Sequence, residues 1–157
     1  MPRRAVVPSV ESMNTSSKHF RLSAAVLAAG GLCWVVKFVV IAATDGAVSG
    51  TADSATAVLY MSAVALMALG MASLGVAVLA GRHIALRVAG AFGGLVAWAI
   101  SYMVIEGIAM AIVGDTDPVW LGEEIGIVST GAVLMTVGLL LARPSSTRAP
   151  AEVASTV

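Results

Sequence analysis

Apolar residues run along this chain in four long blocks, separated by three short polar joins and flanked by two polar ends. The blocks are about 22–43 (LSAAVLAAGGLCWVVKFVVIAA), 55–80 (ATAVLYMSAVALMALGMASLGVAVLA), 88–113 (VAGAFGGLVAWAISYMVIEGIAMAIV) and 120–142 (WLGEEIGIVSTGAVLMTVGLLLA). A helix crosses a bilayer with about 20 apolar residues at a rise of 1.5 Å each. Every block meets that length, so the pattern predicts an all-α membrane protein, a four-transmembrane-helix bundle. Residues 1–20, polar and punctuated by proline, read as a disordered cytoplasmic arm, 21–143 as the membrane domain, and 144–157 as a short disordered cytoplasmic tail. Lys18 and Arg21 before the first block imitate a signal peptide. The apolar run is nevertheless longer than an h-region of about 7–15 residues, which favours a retained anchor.

Charge sets the expected threading. Arg3, Arg4, Lys18 and Arg21 precede the first span, Arg82 and Arg87 flank the join between spans two and three, and Arg143 and Arg148 follow span four. The other two joins carry Asp45, Asp53, Asp115 and Asp117 and no lysine or arginine. Excess Lys/Arg in short loops marks the cytoplasmic side, so both termini are expected inside and the acidic joins outside. A net charge of zero hides this asymmetry.

Composition agrees with the pattern, at 59% hydrophobic and 11% charged residues, against about 25% charged in soluble domains. The richness in Ala, Val and Gly suggests a bacterial gene, and hence the inner (cell) membrane. One cysteine, Cys33, excludes an intrachain disulfide and a cysteine-based metal cluster within one subunit. A rhyme between Gly30-Gly31-Leu32 with Trp34 and Gly93-Gly94-Leu95 with Trp98 raises a 2+2 repeat of parallel hairpins.

The candidate chemistry lies in charges within the spans: Lys37 in the first, Glu106 in the third, and Glu123 and Glu124 in the first turns of the fourth. Lys37 lies two turns before Thr44, and Glu106 two turns before Val113, so both sit about 10 Å below the same surface. Glu124 lies about 6 Å below it. Intramembrane charges face a partner, a cavity or water. Two readings follow. In the first, Lys37 neutralises Glu106, Glu123 or Glu124 caps the start of its helix, and the cluster serves a non-enzymatic structural or accessory membrane protein. In the second, three carboxylates outnumber one lysine and raise one another's proton affinity, so that Glu106 becomes a proton- or cation-responsive site in a small oligomeric transporter or channel.

Other chemistry finds little footing. His19 and His83 fall at the cytoplasmic boundary, which disfavours a haem held between helices, and His83 reads as an interfacial residue near lipid head groups. No nucleophile–base pair, phosphate-binding glycine loop or zinc spacing occurs, and the short joins leave no room for a catalytic domain. No enzyme activity, cofactor, metal or nucleic-acid partner is expected. Partners would be the lipid bilayer and a second copy or another membrane protein. Gly90 with Gly94 and Gly122 with Gly126 form GxxxG pairs that let helices approach closely, either inside the bundle or at a homodimer face. Met61, Met67, Met71, Met103 and Met110 are expected to be packing residues, Trp34 and Trp98 to fill gaps, and Trp120 to join the interfacial aromatic belt.

Overall fold

The computed structural model describes residues 10–113 and 119–144, without the side chains of 10–16, 119 and 123. The residues before Val10, the tail beyond Pro144 and the join carrying Asp115 and Asp117 lie outside the described residues. The chain forms four helices, α1 (Val10–Ala43), α2 (Thr51–Val78), α3 (Ile84–Val113) and α4 (Val119–Ala142), with no strand among the described residues. All four are long and apolar enough to cross a membrane. With no water in hydrocarbon, the backbone must bond within each helix, and the sequence permits this because no proline interrupts any of the four. Buried and half-buried hydroxyls follow the same rule. Ser23, Ser73 and Thr130 each donate to a carbonyl one turn earlier on their own helix.

The span boundaries fall within a few residues of those expected, except at the start. Helix α1 begins at Val10, well inside the stretch expected to be disordered. After Pro8 nothing breaks a helix before the span, and extending an existing helix adds one hydrogen bond per residue fixed without a second nucleation.

The helices pack as a closed ring in chain order, α1 on α2, α2 on α3, α3 on α4, and α4 back on α1. Neighbours are antiparallel, as the contacts of α1 with α4 show: Gly138 meets Ala24 and Ala28, Gly131 meets Gly31, and Lys37 reaches Glu124. The start of α1, the end of α4 and the α2–α3 turn therefore lie at one end of the bundle, and the α1–α2 connection at the other. Glycines set the spacing. A Cβ on Gly30 would stand 2.7 Å from Met67 Cγ, and one on Gly70 would stand 2.8 Å from Leu27 Cα.

The fully buried core comes from three helices: Ala24, Leu27 and Trp34 of α1, Ala63, Met67 and Leu74 of α2, and Leu134 of α4. Helix α3 adds only the half-buried Trp98 and Tyr102 to it. The methionines divide. Met67 and Met71 pack as expected, but Met61, Met103 and Met110 are exposed on the outside of the ring. In hydrocarbon a flexible apolar side chain on such a surface needs no protein partner. At the end with the termini, the Arg21 guanidinium donates to the carbonyl of Ala142 at 3.0 Å, closing the last turn of α4. His83, expected at the interface, is exposed and caps α3: its Nδ1 accepts from the Ala85 N–H at 3.3 Å.

Candidate functional site

The in-span charges gather near the end of the ring opposite the termini. Lys37 lies two turns before the end of α1 and Glu124 in the second turn of α4. Because these helices run antiparallel, the two side chains meet level with each other. The Lys37 Nζ donates to Glu124 Oε1 at 2.5 Å and to Oε2 at 2.7 Å, and the two side chains retain only 10% and 15% exposure. Expected to pair with Glu106, Lys37 pairs with Glu124, the one ion pair among the described residues. The reason is geometric: α1 has α2 and α4 as its ring neighbours, whereas Glu106 is on α3, across the bundle.

Aromatic rings surround the lysine. The Tyr60 ring of α2 lies 5.5 Å from the Lys37 Nζ, a cation–π distance. Trp34, one turn before Lys37 on α1 and 2% exposed, stacks on Tyr60 with centroids 6.2 Å apart and planes at 24°. It also tilts against Tyr102 of α3 at 5.7 Å and 50°. Trp34 thus bridges α2 and α3 through the centre of the ring. Its indole N–H, like those of Trp98 and Trp120, has no hydrogen-bond partner among the described residues. Ring packing alone holds it. Trp120 covers the α1–α2 connection, lying against Gly46, whose φ of 77° and lack of a side chain admit the ring.

Glu106 follows Tyr102 by one turn on α3, a spacing that puts the carboxylate and the phenol on one face of the helix. Its stem rests on α4 at Gly126, where an added Cβ would come within 3.0 Å of Glu106 Cγ. Gly126 therefore makes room for a side chain between α3 and α4. Gly122, one turn earlier, is buried. The other GxxxG pair lies between α2 and α3: Gly90 meets Gly75, and Gly94 meets the backbone of Met71. Glu123 sits beside Glu124 on α4, but its side chain is outside the described residues.

The arrangement has two chemically different parts. The Lys37–Glu124 pair is closed, with both carboxylate oxygens on the ammonium and an aromatic ring beside it. Such a pair has lost water at a cost of several kcal/mol per ion, so it persists only with good geometry, and removing one partner costs about 3–5 kcal/mol. Glu106 is half-buried, with a phenol for a neighbour and no cation within salt-bridge distance among the described residues. Reading the sequence overlooked Tyr60 and Tyr102. The spacing of Tyr102 and Glu106 four residues apart, on one helix face, was the signal that could have found one of them. Among the described residues no group of three His, Cys, Asp or Glu side chains could hold a metal. No protein-family model, curated protein or solved structure matches this chain.

Proposed function

We propose that this chain is a small non-enzymatic structural or accessory protein of a bacterial cell membrane, in which the Lys37–Glu124 pair locks the first helix to the last. The observation that carries this reading is the bidentate contact, with both oxygens within 2.7 Å of the ammonium in a largely buried, ring-lined setting. A site that exchanges ligands needs a charge that is accessible and unsatisfied, and this pair is neither. Both termini and the α2–α3 turn face the cytoplasm in this proposal, supported by Arg21, Arg82, Arg87 and Arg143 at that end and by Asp45 and Asp53 at the other. Thermal unfolding of Lys37→Met, Glu124→Met and the double variant in detergent tests the lock. Both single variants should destabilise, and the double should recover most of the loss. Additive losses would remove the basis for the reading.

A second reading, a small transporter or channel, draws on Glu106, an in-span carboxylate without a cation beside it among the described residues. Proton flux in liposomes that is lost in Glu106→Gln and kept in Lys37→Met would favour it over the structural role.

A further inference from the structure

The opposite end of the bundle carries a feature unrelated to the charged cluster. A groove of about 470 Å³ opens between α1 and α2, with Arg87 of α3 and His19 of α1 at its polar end. Its walls are Leu22 and Val26 on one side and Leu69 and Val76 on the other. We propose that this groove binds one anionic phospholipid, with the phosphate held at Arg87 and His19 and an acyl chain laid between α1 and α2.

The distribution of hydrogen-bond donors supports this occupant. Two hydroxyls line the groove, Ser23 and Ser73, and both donate to carbonyls of their own helices, Ser23 to His19 and Ser73 to Leu69 and Gly70. Their protons are committed, so the walls offer no free hydrogen-bond donor to a ligand. The side-chain donors left to face a ligand are those of Arg87 and His19, at the mouth. Charge points the same way. The described acidic side chains, Asp45, Asp53, Glu106 and Glu124, all lie toward the far end of the ring, so none of them neutralises Arg87. Arg21 is occupied on the other seam, donating to Ala142. A cation at an apolar slot complements one anion joined to one hydrocarbon chain.

Dimensions agree as well. From His19 to Val26 the slot follows α1 for about 10 Å, enough for the upper part of an acyl chain. Its volume falls within the range of about 300–1,000 Å³ usual for ligand sites. A groove open toward hydrocarbon is filled by lipid in any case. Arg87 and His19 make the filling selective for headgroup charge.

Native mass spectrometry of the full chain in detergent provides the test, with dioleoylphosphatidylglycerol, dioleoylphosphatidylcholine and inorganic phosphate as separate probes. The glycerol lipid should be retained about fivefold more tightly than the choline lipid, the effect expected of one basic residue near the surface. Phosphate alone should not be retained. Arg87→Gln, at an exposed position, should fold normally and bring the two lipids to near parity, whereas Val26→Trp, which fills the slot, should release both. Should Val26→Trp fail to fold, Ser73→Phe blocks the facing wall. Equal retention of the two lipids by the unaltered chain, unchanged selectivity in Arg87→Gln, or phosphate binding as tight as that of the lipid would each overturn the proposal.

Discussion

In α1, Gly30 sits against Met67 of α2, and Gly31 against Gly131 and Met135 of α4. In α3 the matching pair is split: Gly94 meets the backbone of Met71, while a Cβ on Gly93 would meet nothing. The in-span charges of the two helices diverge in the same way, Lys37 held bidentately and Glu106 beside a phenol. Buried residues make up 44% of the apolar window of α1 and 6% of that of α3. Two helices alike in composition thus play different parts. Helix α1 is packed on two sides and organises the core, whereas α3 leans on the ring and leaves most of its surface uncovered by the other helices. The lesson is that a small residue or a charge in a span acquires its role from the neighbour it meets, and local sequence is the same in either case.

Variants of matching positions put this contrast at risk. The largest effect belongs to Lys37→Met, which strands the Glu124 carboxylate and should cost about 3–5 kcal/mol of stability, read as a lowered unfolding midpoint in detergent. Next comes Gly31→Val, where the added atoms meet the backbone of α4. Overpacking there should cost about 1–3 kcal/mol by the same measurement. Glu106→Gln keeps the shape and leaves no partner stranded, so it should move stability by less than about 1 kcal/mol. Smallest is Gly93→Ala, which gains helix propensity in open space and should stabilise by about 0.5 kcal/mol. A Gly93→Ala loss as large as that of Gly31→Val would mean that α3 has a close partner on that face, and the contrast would fail.

Span number and boundaries were legible because hydrocarbon imposes a length and bars unpaired backbone, constraints that act on each segment separately. Depth was legible for the same reason: Lys37 and Glu124 could be placed near one level by counting turns. Partnership was not. The choice of Glu124 over Glu106 depends on which helices are ring neighbours, and hydropathy does not record that order. The extension of α1 back to Val10 leaves no trace in hydropathy, because the segment is polar; it is helical because it lacks a helix breaker. The roles of Tyr60 and Trp34 emerge only once α1, α2 and α3 converge on one point.

The Arg21–Ala142 bond ties the first helix to the last at the end where the chain both enters and leaves. The α2–α3 turn lies at that same end, so the ring has no privileged starting point. Opening the turn near His83 and joining Arg143 to the start of α1 would give a circular permutant running α3, α4, α1, α2. Every helix would keep its direction through the bundle, and Arg21, Arg82, Arg87 and Arg143 would stay at the same end. Such a chain would enter the membrane with the loosely packed α3 in the lead, and would separate the order of synthesis from the architecture of the finished ring.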